Sequence, residues 1–334
     1  MKKIICCVAG RSGGHIIPCL SYAEKFREIE PETEVLFFHA PTELDRSLLK
    51  NIDYISKKVA LPLDNVPLKK EWFKIPLFIM QLFGSTIMSF YYLIKHKPSL
   101  IISTGGYISI PVCLVARLLG IRVELFELNC VPGKATRFLA RFVSIVRICF
   151  PETNNYVNYG NSIISPYPLK PQYKGKKPTR ELILQTLHFN KTNKTLLVLG
   201  GSQGSQTLNE LFLKACQTAQ DWQVIHQVGN DDLEPIKQQY KNLGIKAYVF
   251  KFHNHLETLY PAADVVICRA GAGSLFETVY FKKRCITVPL ETKTNDHQVH
   301  NARSFEKQYP HLFSTLLQED FKADPTLLQK IMAS

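Results

Sequence analysis

The feature that most limits how this chain can fold is an alternation of short apolar runs with helical stretches, which occurs twice over. In the first half, residues 3–9, 34–39, 100–104, 123–128 and 143–150 read as strands, with helical patterns between them, for example over 17–30 and 134–141. Apolar strands separated by crossover helices belong to a parallel sheet covered on both faces. Residues 151–175, with several prolines, asparagines and tyrosines, break the pattern and read as a linker; 176–191 is a polar helical lead-in. The alternation restarts at Lys194, with strands expected over 195–199, 223–228, 247–252, 265–268 and 285–289, and residues 319–334 read as a polar loop and one short helix. At 334 residues the chain is too long for one ordinary α/β core and suits two. The expected fold is therefore α/β, with two Rossmann-like domains facing across a cleft, one over 1–155 and one over 156–334. In such sheets ligands bind at the carboxyl ends of the strands.

Composition narrows the class of partner. The nine cysteines form no CxxC pair and several lie in apolar runs, which implies reduced, buried thiols of a cytosolic protein and neither a disulfide framework nor a metal site. The apolar run after Met1-Lys2-Lys3 is too short for a secretion signal. The formal net charge is +13, and residues 57–150 alone hold 13 Lys/Arg against 4 Asp/Glu. That favours an anionic partner: nucleic acid, an acidic membrane or a diphosphate. No nucleic-acid motif is present, so the reading is no nucleic acid. Residues 76–94 are uncharged and nearly long enough to span a bilayer. Gln81, Gly84, Ser85, Thr86 and Ser89, and the buried strand expected to follow, instead predict a crossover helix that is partly buried and leaves one apolar face outside.

Three glycine loops follow expected strands and open helices. The first is Ala9-Gly10-Arg11-Ser12-Gly13-Gly14-His15, where glycines let the backbone turn and the helix start favours an anion. His15 stands where loop gives way to helix, as a ligand-side group or as a helix-start histidine that only packs. The second is Gly200-Gly201-Ser202-Gln203-Gly204-Ser205, able to hold a diphosphate on backbone N–H groups, or simply a tight turn. The third is Arg269-Ala270-Gly271-Ala272-Gly273-Ser274, with Glu277 one turn into the helix, where its carboxylate suits a ribose diol. The helix dipole alone would also favour an acid near that end, by about 0.3–1 kcal/mol. Beyond it, Asn295-Asp296-His297-Gln298 and Asn301 make a helix start dense in hydrogen-bonding side chains, as sugar recognition requires.

Together SGGHIIP, Thr104-Gly105-Gly106-Tyr107, Glu127 with Asn129, GGSQGS, CRAGAGSLFE and NDHQ with Asn301-Ala302 resemble the MurG-type UDP-N-acetylglucosamine transferase family over nearly the whole chain. The resemblance implies the GT-B fold, an N-terminal acceptor- and membrane-binding domain and a C-terminal UDP-GlcNAc-binding domain. It implies inverting transfer of GlcNAc from UDP-GlcNAc to the MurNAc 4-hydroxyl of undecaprenyl-pyrophosphoryl-MurNAc-pentapeptide (lipid I to lipid II), with no cofactor or metal. Carried over by motif, Ser12, Gly13, Gly14, Lys170, Ser202, Gln203, Phe252, His253, Arg269, Gly271, Ala272, Gly273, Ser274, Glu277, His297 and Gln298 would bind the donor. Ser202 and Gln203 would meet its diphosphate, Phe252 and the backbone near His253 its uracil, Glu277 its ribose, His297 and Gln298 its sugar. His15, Tyr107, Asn129 and Asn301 would shape the acceptor side, with His15 as general base and Glu127 as the second choice. The family's place is the cytoplasmic face of the cell (inner) membrane, as a peripheral protein; here residues 68–94 would meet an anionic membrane surface through Trp72, Phe73, Ile75, Leu77, Phe78, Ile79, Leu82 and Phe83 with Lys69, Lys70 and Lys74.

The chain departs from the family pattern at several positions, and its donor-side residues are better kept than its acceptor-side ones. Arg11 and Ser12 replace a glycine and a threonine of the usual GGTGGH, Phe126-Glu127-Leu128-Asn129 replaces HEQN, and Lys170 stands for the linker arginine, a point charge for a fork. Arg11 either adds a cation for a pyrophosphate or narrows the loop. Three other readings stay open: a different glycolipid acceptor, an epimerase acting on UDP-GlcNAc, and a non-catalytic nucleotide-binding membrane scaffold.

Overall fold

Among the described residues every strand pairing is parallel, as continuous apolar runs such as Ile4-Ile-Cys-Cys-Val8 require, since they must be covered on both faces. A computed structural model describes residues 3–67, 69–157, 159–201, 204–217, 222–291 and 296–333, with Lys69 and Ala333 described by backbone alone. The chain divides into two units, Met1–Gln172 and Tyr173–Ser334.

The first unit contains strands β1 (Ile4–Val8), β2 (Glu34–His39), β3 (Ile55–Ala60), β4 (Leu100–Ser103), β5 (Arg122–Glu127), β6 (Ile145–Ile148) and β7 (Ser162–Ile164), and helices α1 (Gly13–Ile29), α2 (Glu43–Leu49), α3 (Ile75–His96), α4 (Ser109–Leu118) and α5 (Lys134–Leu139). The strand order is β3-β2-β1-β4-β5-β6-β7. β1 therefore lies between β2 and β4, with Cys6 level with Leu36 on one side and Ile101 on the other. The point where the strand order reverses, between the ends of β1 and β4, is where such sheets bind ligands. β7 extends this sheet, so the first unit runs past residue 155 and ends within the 151–175 stretch. β3, which the sequence reading omitted, is the edge strand, and Ser56 and Lys57 are exposed on it.

The second unit repeats the plan with β8 (Lys194–Leu199), β9 (Trp222–Gln227), β10 (Lys246–Phe250), β11 (Val265–Cys268), β12 (Arg284–Thr287) and β13 (Phe313–Thr315), in the order β10-β9-β8-β11-β12-β13. Its helices are α6 (Arg180–Thr186), α7 (Gln206–Cys216), α8 (Leu233–Asn242), α9 (Ala272–Tyr280), α10 (His297–Gln308), α11 (Gln318–Ala323) and α12 (Leu327–Ala333). The C-terminal end thus forms two short helices where one was expected. Each unit has its own apolar core, centred on β1, β4 and β5 in the first and on β8, β9 and β11 in the second. All nine cysteines are free and buried.

α3 is built the wrong way round for a helix in water. Ser85, Ser89 and Leu93 are its buried residues, while Ile79, Met80, Phe83, Ile87 and Tyr91 point out, Phe83 with 67% of its surface exposed. Small serines let the helix approach the domain closely, and Ser89 Oγ returns its hydrogen bond to the Ser85 carbonyl at 2.7 Å. Large apolar side chains on the outer face gain nothing from folding in water. With the turn before it, residues 70–96 are long and apolar enough to cross a membrane by length and composition, and the inner face is held against the domain.

Candidate active site

In the first unit the loops after β1 and β4 are joined by side chains. His15, in the first turn of α1, shares a 2.7 Å hydrogen bond between Nδ1 and the Thr104 carbonyl, and Thr104 Oγ1 donates back to the His15 carbonyl at 3.0 Å. A carbonyl only accepts, so neutral His15 carries its proton on Nδ1 and presents the Nε2 lone pair. The Thr104 loop is braced in turn: Gly105 N donates to Ser103 Oγ at 3.1 Å and Ser109 Oγ to the Gly105 carbonyl at 2.7 Å. Ser12 is the N-cap of α1 and its hydroxyl makes no cap bond; Ser12, His15 and Tyr107 are half-buried, Gly13 buried and Gly14 exposed.

The first glycine loop is anchored by a residue the sequence reading missed. Asp45, fully buried, accepts from Arg11 N at 2.9 Å and from Ala40 N at 2.9 Å. A Cβ on Gly10 would meet Asp45 Oδ2 at 2.8 Å, so only glycine fits there. Arg11 has a φ of 68°, the left-handed region that glycine occupies without cost. Its guanidinium bonds Leu63 O and Asp64, which answers the question of its role: it braces the loop from behind and is already ion-paired within the protein. The available signal for Asp45 was Thr42-x-x-Asp45, in which Thr42 caps α2 by accepting from Asp45 N.

Glu127 is only 4% exposed, and its carboxylate accepts from Asn129 N at 3.0 Å, Asn129 Nδ2 at 3.3 Å and Gly133 N at 3.2 Å. With three N–H bonds on its carboxylate, Glu127 braces the loop after β5. Asn129 is half-buried beside it. Lys170 is also half-buried and belongs to the first unit, where its ammonium partly offsets the upward push that burial gives the Glu24 carboxyl.

In the second unit the corresponding loops, after β8 and β11, are again joined. Ser205 Oγ, the N-cap of α7, accepts from Arg269 Nε at 2.9 Å and Nη2 at 2.7 Å. Arg269 Nη1 donates to the carbonyls of Val288 and Pro289 at 3.1 and 3.2 Å, and Nη2 to Gln318 Oε1 at 2.8 Å. All five donors are thus engaged, the residue is 5% exposed, and burial lowers its pKa to about 10 against the opposing pull of Glu291. Arg269 is thus a buried strut joining three loops. Asn301, expected on the acceptor side, is 0% exposed and donates to Ala270 O at 3.1 Å; it too is packed inside.

Ser202 and Gln203 lie outside the described residues. Around them the turn is tight: a Cβ on Gly204 would meet Val228 O at 2.5 Å, and Gly204 has a φ of 78°. α9 starts from Gly271 with no side-chain cap, so the first-turn N–H groups at Ala272, Gly273 and Ser274 form an anion-favouring helix start. Glu277 Oε1 accepts from Tyr173 Oη at 2.8 Å and Oε2 from Tyr260 Oη at 3.2 Å, two further partners the sequence reading missed. Phe252 is 55% exposed and His253 half-buried next to it, with His253 Nδ1 accepting from His255 N at 3.2 Å. His297 and Gln298 are half-buried at the start of α10, where Gln298 Oε1 accepts from Leu290 N at 2.9 Å. Among the described residues no group of three or more His, Cys, Asp or Glu is arranged to hold a metal ion.

Comparison with known proteins places both units in one family. Residues 5–148 match the glycosyltransferase family 28 N-terminal domain and residues 195–330 its C-terminal domain. Two curated relatives are named UDP-N-acetylglucosamine–N-acetylmuramyl-(pentapeptide) pyrophosphoryl-undecaprenol N-acetylglucosamine transferase. That of Carboxydothermus hydrogenoformans is 30% identical over 300 residues, covering 89% of this chain and 80% of its own. That of Bdellovibrio bacteriovorus is 32% identical over 317 residues, covering 91% and 83%. Among solved structures, Acinetobacter baumannii MurG superposes with a TM-score of 0.74 at 23% identity, over 99% of this chain and 90% of that one. A UDP-GlcNAc 2-epimerase from Methanocaldococcus jannaschii shares the fold at a TM-score of 0.59 and 14% identity, over 96% and 91%. With two Rossmann-like units of GT-B type and relatives at this identity over most of its length, the chain belongs to the MurG-type N-acetylglucosaminyltransferases of glycosyltransferase family 28.

Proposed function

We propose that the chain transfers GlcNAc from UDP-GlcNAc to the MurNAc 4-hydroxyl of undecaprenyl-pyrophosphoryl-MurNAc-pentapeptide, converting lipid I to lipid II with inversion at the anomeric carbon. The observation that carries the chemistry is the His15–Thr104 hydrogen bond, because it leaves Nε2 as a proton acceptor at the strand-order reversal of the first unit. In this reading His15 Nε2 takes the proton of the acceptor hydroxyl as its oxygen attacks the anomeric carbon, and the bond to UDP breaks on the opposite face. The charge that grows on the departing diphosphate is met by the glycine turn around Ser202 and Gln203 and by the open start of α9 at Gly271–Ser274. Glu277 holds the ribose, Phe252 and the His253 backbone the uracil, and His297 and Gln298 the sugar. Tyr107 and Asn129 border the acceptor. Arg269, Asn301 and Glu127 act by positioning loops.

The same proposal puts the protein on the cytoplasmic membrane face as a peripheral enzyme. Support comes from the inverted α3, with exposed Ile79 and Phe83, and from exposed Trp72 and Phe73 in the turn before it, beside Lys70 and Lys74. Leu68 and the Lys69 side chain, part of the expected surface, lie outside the described residues. Phe78 and Leu82 are half-buried and contribute less than expected. The deciding experiment mixes purified protein with UDP-GlcNAc and measures UDP release with and without a lipid I analogue. Release that depends on the analogue is expected; folded, UDP-binding protein that releases none would overturn the transferase reading, and release without acceptor would favour an epimerase-like or hydrolytic site.

A further inference from the structure

Arg11 holds a backbone conformation that suits glycine, at φ 68°, and its side chain leads away from the glycine loop. Nη2 donates to the Leu63 carbonyl at 2.7 Å and to Asp64 Oδ1 at 3.0 Å. The other Asp64 oxygen accepts from Gln81 Nε2 at 3.0 Å, and Asp64 N donates to Gln81 Oε1 at 3.1 Å. Gln81 lies in the second turn of α3. Three side chains thus join the loop that carries His15 to the helix whose outer face is apolar.

We infer that Arg11, Asp64 and Gln81 are positioning residues that transmit the seating of α3 on an anionic bilayer to the glycine loop, so that His15 is held in place when the protein is on the membrane. The inference rests on the proposed reading of α3 as the membrane-facing surface. In water the Arg11–Asp64 pair is weak, since the Asp64 side chain is 65% exposed. Burying the adjacent face of α3 in the headgroup region thins the water around Asp64, and the same pair at the same distance then attracts more strongly. Arg11 is the residue where that grip matters, because a non-glycine backbone at this φ relaxes once nothing holds it. Asp45 fixes the Arg11 amide from one side; the Asp64–Gln81 link fixes the guanidinium from the other.

Hydrogen exchange of the segment 10–16, measured with and without vesicles of phosphatidylglycerol and phosphatidylethanolamine, tests this. In the unaltered protein the vesicles are expected to slow exchange about tenfold, in proportion to the loss of open loop conformations. Asp64→Ala should bind the vesicles and UDP as before but lose the slowing, and with it the rise in kcat that vesicles produce at unchanged KM for UDP-GlcNAc. Arg11→Gly, which removes the side chain while suiting the backbone, should lose the same response. Equal slowing in Asp64→Ala and unaltered protein overturns the inference while leaving α3 as the membrane surface. A loop that exchanges faster in Asp64→Ala by the same factor with and without vesicles makes the link merely structural and also overturns it. If the unaltered protein does not bind the vesicles at all, the reading of α3 fails and takes the inference with it.

Discussion

Replacing Arg269 with Met separates a strut from a ligand. The change removes five hydrogen bonds and takes the Arg269 donor from four oxygens, Ser205 Oγ, the Val288 and Pro289 carbonyls and the Gln318 amide. A buried acceptor left unpaired costs roughly 1–3 kcal/mol. Against this, removing a buried guanidinium relieves its own desolvation, which its lowered pKa of about 10 records. The net expected loss is about 2–4 kcal/mol, a large share of the ~5–15 kcal/mol that holds a domain together. The chain has two tryptophans, Trp72 in the first unit and Trp222 in the second, so in a Trp72→Phe background the fluorescence of Trp222 follows the second unit alone. In urea, the midpoint for Arg269→Met should fall with an unchanged slope, and saturating UDP should still raise it by an increment close to that of the parent. Arg269→Lys should fall between the two, since an ammonium cannot span the three loops. A midpoint unchanged within error, with UDP stabilisation lost, would refute the strut and return Arg269 to the donor site.

Three further outcomes follow from the geometry. His15→Ala should lower kcat by about 10²–10⁴ while UDP affinity stays near the parent value, and equal loss of both would make His15 structural. Ile79→Ser with Phe83→Ser should weaken co-sedimentation with anionic vesicles, at about 1.5–3 kcal/mol of burial per large side chain; added salt should weaken it too, and binding indifferent to both changes would sink the membrane surface. His226 is enclosed between Tyr240 Oη and Asn209 Oδ1, and burial lowers its pKa to about 3. Its unfolded pKa is near 6.5, so its contribution to stability is complete above that value and is lost as pH falls towards 3. From pH 7 to pH 5 the second unit should lose about 2 kcal/mol through this group, and a flat Trp222 urea midpoint over that range would contradict it.

The buried strands and the glycine loops were legible because both carry a strong local signal: uniform apolarity in one case, glycine next to a helix start in the other. β3, β7 and β13 were not. They lie at or near sheet edges, β7 and β13 are three residues long, and one side of such a strand stays polar, so Ile55-Ser-Lys-Lys-Val-Ala60 carries little strand signal. The site was legible as a set of loops, and less so at individual side chains. Arg269, Asn301 and Glu127 have the chemistry of ligand-binding groups and stand in the right loops, yet each is turned inward. Motif position tells which loop a residue belongs to; the side-chain direction depends on partners that the motif does not contain, some far along the chain, such as Gln318 for Arg269. Asp45 was overlooked for the converse reason, since a lone acid after a capping threonine gives no hint that it will be enclosed by a loop 34 residues earlier.

The inverted helix also bears on how freely this protein can vary. A core position is constrained by shape, because a neighbour must fit against it and a single methylene is felt. The outward side chains of α3 are largely exposed, so folding places little demand on their size or branching. A fluid bilayer would place little more, asking only for enough oily surface. Substitutions among Ile, Leu, Met, Phe and Tyr on that face should therefore be nearly neutral for both folding and attachment, while its four-residue-spaced inner serines, Ser85 and Ser89, should tolerate almost nothing larger. One helix would then evolve under two regimes, its letters drifting on one side and fixed on the other.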